Sequence, residues 1–200
     1  MKIGVLSLQG AVIEHIKMLN KAGAEGIEIK RTDQLAEIDG IIIPGGESTT
    51  IGRLMRTYGF IDSLKQFSDE GKPIFGTCAG LIIVAKHIVG QEEGHLGLMD
   101  IKVARNAFGR QRESFETDLP VTGIDKPVRA VFIRAPWIEE AGPGVEILAT
   151  YHEQIVTARQ GHLLAASFHP ELTDDYSMHS YFLEMVEESK SARFYANETD

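Results

Sequence analysis

One cysteine occurs in the chain, Cys78, in the run Gly76-Thr77-Cys78-Ala79-Gly80 between two apolar segments. A glycine two positions before it and another two after leave little room for side chains. That suits a strand-to-helix turn with an exposed thiol at its apex, aimed at the helix N-terminus, where a nucleophile belongs. A small buried core residue is the competing reading of any free cysteine. A nucleophilic thiol also needs a base, because an unperturbed pKa of about 8.5 leaves only a small fraction as thiolate at neutral pH. Among seven histidines, His169 stands out: it follows the apolar run Leu163–Phe168 and opens His169-Pro170-Glu171. This puts it at the carboxyl end of a strand, as Cys78 is, and ligands bind at that edge of open α/β sheets. An extended backbone would send residues 169 and 171 to the same side, so the Glu171 carboxylate would reach the imidazole, and Pro170 would stiffen the geometry. From these three residues alone, a surface loop with a stray histidine is an equal alternative.

A third segment, Pro44-Gly45-Gly46-Glu47-Ser48-Thr49, follows the strand-like Ile41–Ile43 and precedes a helical pattern. It lacks the glycine, lysine and hydroxyl spacing of a P-loop and is not Gly-x-Gly-x-x-Gly, so it gives little support to nucleotide phosphate binding. Paired glycines do let main chain approach a ligand closely and donate N–H to a developing oxyanion. Read alone, the loop could equally be a turn that caps the next helix through Ser48 or Thr49. His15, His87, His95, His152, His162 and His179 show no paired zinc spacing, and no second cysteine exists, so neither metal nor cofactor is expected. Each of these histidines reads as solvated or as hydrogen-bonded in a structural role.

The elements that must position these groups alternate between short β-branched runs and helical patterns, which predicts a mostly parallel sheet flanked by helices. Strands are expected at Ile3–Leu8, Gly26–Lys30, Gly40–Ile43, Pro73–Gly76, Ile101–Arg105, Val128–Ile133, Val145–Thr150, Gln154–Ala158 and Leu163–Phe168. Helices are expected after the Gln9-Gly10 turn, with Val12, Ile16 and Leu19 at helical spacing, and over Thr50–Tyr58, Ile61–Glu70, Gly80–Lys86 and Ser177–Glu188. From about Gly94 to Arg159 no helix-length segment separates the strands, which predicts antiparallel additions to the sheet. No linker or repeat divides residues 1–200, so one domain is expected, with a polar tail from about Ser189 to Asp200 free to fray.

With 43% hydrophobic and 24% charged residues, the 200-residue chain has the balance of a soluble globular domain. A net charge of −9 supplies no basic face for nucleic acid, and no apolar run is long enough to span a membrane. A single cysteine and no charged-then-apolar leader predict a reducing, cytoplasmic compartment.

The motifs Gly-x-Cys-x-Gly at residues 76–80 and His-Pro-Glu at 169–171 resemble those of the class I (triad) glutamine amidotransferases. Five segments in order, 8–11, 44–49, 105–111, 132–136 and 167–173, narrow the resemblance to the glutaminase subunits of two-component pyridoxal 5'-phosphate synthases. No motif position departs from the pattern. The resemblance implies the three-layer, flavodoxin-like fold of that class and hydrolysis of L-glutamine to L-glutamate and ammonia. It also implies Cys78 as nucleophile, His169 as base and Glu171 as its orienting acid. Backbone N–H groups of Ala79 and Gly46 would meet the oxyanion, and L-glutamine would be held by Gly46, Glu47, Ser48, Arg105, Ile133 and Arg134. Ile133 is apolar, so a polar contact there must come from its backbone. A synthase subunit, the ammonia acceptor, is the implied partner in a hetero-oligomeric complex. A peptide flip at Gly45-Gly46 is a simple switch by which that partner would control activity.

Three other readings compete. A glutaminase of the same class serving another pathway, of the imidazole glycerol phosphate synthase type, is opposed by segments 105–111 and 132–136. An α/β-hydrolase-like thioesterase would normally carry its acid before the histidine, whereas Glu171 follows it. A non-enzymatic thiol sensor would leave His169-Pro170-Glu171 without a task.

Overall fold

A computed structural model describes residues 1–108 and 114–198. Its strands are β1 (Lys2–Leu6), β2 (Glu25–Ile29), β3 (Gly40–Ile43), β4 (Ile74–Thr77), β5 (Ala85–Ile88), β6 (Met99–Ala104), β7 (Ser114–Leu119), β8 (Val128–Ile133), β9 (Trp137–Ala141), β10 (Glu146–Tyr151), β11 (Gln154–Gln160) and β12 (Leu163–Ala166). Its α-helices are α1 (Val12–Lys21), α2 (Ser48–Thr57), α3 (Phe60–Asp69), α4 (Ala79–Val84) and α5 (Ser177–Glu198).

Ten strands form one sheet in the order β2-β1-β3-β4-β12-β11-β9-β6-β5, with β10 also paired to β11. The block β2-β1-β3-β4-β12 is parallel throughout. The antiparallel additions expected after Gly94 follow it: β11 on β12, β9 on β11, and β6 on β9. Strands β7 and β8 form a separate antiparallel pair.

Side-chain alternation divides the core between the two faces of the sheet. On β3, Ile41 and Ile43 pack with Ile51 and Met55 of α2, Phe60 and Leu64 of α3 and Leu81 to Val84 of α4. Ile42, between them, faces the other way and packs with Val12 and Leu19 of α1, Phe182 and Val186 of α5, and Phe132 of β8. Helices therefore cover both faces, giving three layers. Because β4 and β12 pair in register, Ala165 with Gly76 and Ala166 with Thr77, their carboxyl ends stop side by side.

Several expectations are corrected. Ala85 and Lys86, expected in a helix, begin β5: the fully buried Ala79–Val84 segment has no polar face to mark where its helix ends. Strands β7 and β9 were not expected; their acidic, solvent-facing positions dilute the apolar pattern. The last helix runs ten residues past Glu188 to Glu198, where Ser189 Oγ donates to Gly71 O and Arg193 Nε donates to Ser189 O at 3.3 Å. No described helix is long and apolar enough to cross a membrane.

Candidate active site

Cys78 stands between β4 and α4 with φ 51° and ψ −105°, a conformation that costs a non-glycine residue on the order of 1–3 kcal/mol. Its N–H donates to Ala166 O at 2.8 Å, which pins the elbow to the neighbouring strand. The glycine bracket has a steric cause. A Cβ on Gly76 would strike the backbone of Gly80, and one on Gly80 would strike Ile43 O. Neither position tolerates a larger residue while the turn keeps its shape.

His169 lies three residues beyond β12, and its N–H donates to Val131 O at 2.7 Å. Its Nδ1 is 2.6 Å from Glu171 Oε1. The route differs from the expectation: residues 170–172 form a 3-10 turn, not an extended chain, and this turn brings Glu171 back under the ring. Pro170 suits the first position of that turn. Burial opposes a charge on His169, but hydrogen bonding with the Cys78 side chain and with Glu171, and the charges of both, outweigh it and raise its pKa to about 10. The arrangement favours an imidazolium at His169, held by Glu171 on one side and facing Cys78 on the other.

The glycine loop closes a third side. Gly45 packs so tightly that a Cβ there would lie 2.5 Å from His169 Cε1 and 3.4 Å from Cys78 Cβ. Gly45 O accepts from Ala11 N–H at 3.2 Å, and Gln9 Oε1 accepts from Glu47 N–H at 2.8 Å, so residues 9–11 brace the loop from behind. The cap of α2 is Glu47, not Ser48 or Thr49. Its carboxylate accepts from Thr49 N–H at 3.0 Å, from Thr50 N–H at 2.8 Å and from Thr50 Oγ1 at 2.6 Å. The Thr50 hydroxyl, then the Thr49 amide, lower the Glu47 pKa to about 2.

Of the remaining candidates, Ile133 ends β8 with its carbonyl oxygen 3.9 Å from Cys78 Sγ, which places its main chain beside the nucleophile. Arg134 follows in the left-handed region at φ 45° and is exposed. Aromatic packing fixes this corner: Phe132 stacks on Phe115 at 4.7 Å and meets Phe168 edge-on at 5.6 Å. Arg105, just past β6, donates from Nη2 to Thr49 Oγ1 at 3.3 Å, while its buried Nε has no partner among the described residues. A guanidinium tied to Thr49 with an unused edge is suited to gripping a carboxylate. Gly109, Arg110 and Gln111, in the fourth of the sequence motifs, lie outside the described residues.

Two buried groups beside the triad had been assigned only structural roles: His15 and His179, each 0% exposed. His15 Nε2 is 3.2 Å from Thr77 Oγ1 and 3.5 Å from Glu171 Oε2, and its Nδ1 is 2.9 Å from His179 Nε2. A signal for His15 was present in the sequence. It shares the buried face of α1 with Val12, Met18 and Leu19, a polar ring among apolar residues.

A thiol at a strained strand–helix elbow, with an imidazole and carboxylate just past the end of the adjoining parallel strand and a glycine loop across from them, is built for acyl transfer from an amide. On a three-layer α/β sheet it defines a triad glutamine amidotransferase. The chain belongs to the SNO glutamine amidotransferase family, whose sequence model matches residues 5–188. A relative from Niallia circulans, the pyridoxal 5'-phosphate synthase subunit PdxT, is 70% identical over 190 residues, covering 95% of this chain and 100% of its own. PdxT from Geobacillus sp. (strain WCH70) is 62% identical over 191 residues, 96% of this chain and 100% of that one. Among solved structures, a glutamine amidotransferase crystal structure superposes with a TM-score of 0.89 at 49% identity, covering 92% of this chain and 98% of that one.

Proposed function

We propose that this chain hydrolyses L-glutamine to L-glutamate and ammonia through a thioester on Cys78, and that the ammonia passes to a synthase subunit that builds pyridoxal 5'-phosphate. The observation that carries the reading is the Cys78 elbow beside the His169–Glu171 pair, 2.6 Å apart. Cys78 Sγ attacks the side-chain amide carbon. The tetrahedral oxyanion collapses as His169 protonates the departing nitrogen, leaving ammonia and a γ-glutamyl thioester. His169 then takes a proton from water, whose oxygen attacks the thioester and releases glutamate and the thiol. Glu171 holds the imidazole in one tautomer and balances its charge.

The backbone N–H groups of Ala79 and Gly46 are proposed to meet the oxyanion, where one lost donor typically costs about 3 kcal/mol of barrier. Arg105 is the proposed partner for the substrate α-carboxylate. The backbones of Gly46 and Ile133, with Glu47, Ser48 and Arg134, complete the glutamine site. The names of the relatives favour this pathway over an imidazole glycerol phosphate synthase role. Ammonia is mostly protonated at neutral pH and escapes into solvent, which favours a hetero-oligomeric complex. A nucleophile that must remain a free thiol suits the cytoplasm.

Treatment with a glutamine-analogue electrophile tests the reading. Labelling confined to Cys78 and suppressed by glutamine is expected; labelling that glutamine does not suppress would overturn it.

A further inference from the structure

Glu171 is more deeply enclosed than its role requires. Its side chain is 0% exposed, and its Oε1 is satisfied by His169; among the described residues the buried Oε2 has no hydrogen-bond partner. A buried carboxylate oxygen without a donor is costly and is free to rotate out of register. His15 Nε2 stands 3.5 Å from it.

Resting on the glutaminase reading, we infer that His15, backed by His179, is a positioning residue for the triad: its Nε2–H is shared between Thr77 Oγ1 and Glu171 Oε2 and holds the carboxylate square to His169.

The tautomers follow from the contacts. Burial first, then His179 and His169, hold the His15 pKa well below the ordinary value. Burial, opposed by Asp175, lowers that of His179 to about 4. Both rings are therefore neutral, with one N–H each. If His15 carried its proton on Nδ1, its Nε2 lone pair would face Glu171 Oε2, and His179 Nδ1–H would be a buried donor with no partner. With the proton on Nε2, His15 donates towards Thr77 and Glu171, and its Nδ1 accepts from His179 Nε2–H at 2.9 Å. Only an acceptor, His179 Nδ1, is then left over, the cheaper of the two groups to orphan. The groups facing the pair are Glu171 and His169 on the site side and Asp175 behind His179, and Asp175 is already engaged with Ser177 N–H at 2.9 Å and Arg129 N–H at 3.0 Å. The result is a line of contacts from α5 through α1 to the residue that precedes the nucleophile.

Isosteres separate this role from packing. In glutamine, the side-chain amide reaches the position of His Nε2; in asparagine, it reaches only that of Nδ1. Assayed in complex with the synthase subunit, His15→Leu and His15→Asn should lower kcat for glutamine hydrolysis about 10- to 100-fold, the scale of a hydrogen bond lost from a buried charge. KM should stay within about twofold. His15→Gln should recover most of the rate. A loosened Glu171 supports His169 less well, so the alkaline limb of the kcat profile should move to lower pH in the Leu and Asn variants and return in the Gln variant. His179→Leu should shift both readouts in the same direction, by less. Equal rates in Gln and Asn variants, or an unmoved alkaline limb, would overturn the inference. The native complex run alongside keeps the two questions apart, since failure of that complex to hydrolyse glutamine would overturn the functional reading itself.

Discussion

Gly45→Ala is the substitution that most directly probes the packing of the site. Its backbone is not in the left-handed region, so alanine is conformationally acceptable, and the whole effect comes from one methyl group. That methyl would lie 2.5 Å from His169 Cε1 and 3.0 Å from Nδ1, whereas ordinary carbon contacts begin near 3.4 Å. The ring must therefore retreat by about 0.9 Å, and a misplacement of about 1 Å in a catalytic group can cost about 100-fold in rate. His169 cannot retreat freely, because Glu171 and the Val131 carbonyl hold its two ends at 2.6 and 2.7 Å. Glutamine hydrolysis, followed as glutamate release in the presence of the synthase subunit, should fall about 100-fold in kcat. At Gly46 the added methyl meets the ends of the Gln9 and Ile51 side chains and no catalytic group, and displacing Gln9 gives up its bond to Glu47 N–H, so Gly46→Ala should lose less than about tenfold. Equal activity of Gly45→Ala and native protein, with both folded, would refute the reasoning.

Three further outcomes are expected. Because Cys78 sits at φ 51°, Cys78→Gly should be more stable than Cys78→Ala by about 1 kcal/mol, about 2–4 °C in Tm, with both inactive; scanning calorimetry of the pair checks this. Neutral His15 and His179 bind protons less readily than their unfolded counterparts, so stability should decline as pH falls from about 6.5 towards 4, by about 1.4 kcal/mol per pH unit for each proton taken up on unfolding. Urea denaturation at pH 7 and pH 5 should show this, and His179→Met should flatten the slope by about one proton. Phe132→Ala, at a position 1% exposed, should cost about 3–5 kcal/mol in denaturant unfolding and raise KM for glutamine as the Ile133 corner loosens.

The parallel half of the fold was legible because its strands are nearly unbroken apolar runs flanked by amphipathic helices. Gly40–Ile43 has the bounds expected of it, as does Val128–Ile133 in the separate antiparallel pair. The elbow was legible for the same kind of reason, since only glycine fits at positions 76 and 80. What stayed hidden depended on contacts distant in sequence. The pairing of β9 with both β6 and β11 gives no local periodicity, and the cap on α2 falls to Glu47, a longer side chain than capping preferences suggest. His15 and His179 lie 164 positions apart, and only the packing of the first and last helices on one face of the sheet brings them together. The His169–Glu171 contact was anticipated, but through an extended chain; the 3-10 turn that makes it required the local backbone to be seen.

The most direct test of the whole account is pyridoxal 5'-phosphate formation by the reconstituted complex with purified synthase subunit, comparing native chain with Cys78→Ala. Synthesis driven by glutamine should disappear in the variant while synthesis driven by added ammonia continues at the native rate. Glutamine-driven synthesis that survives the loss of Cys78 would contradict it.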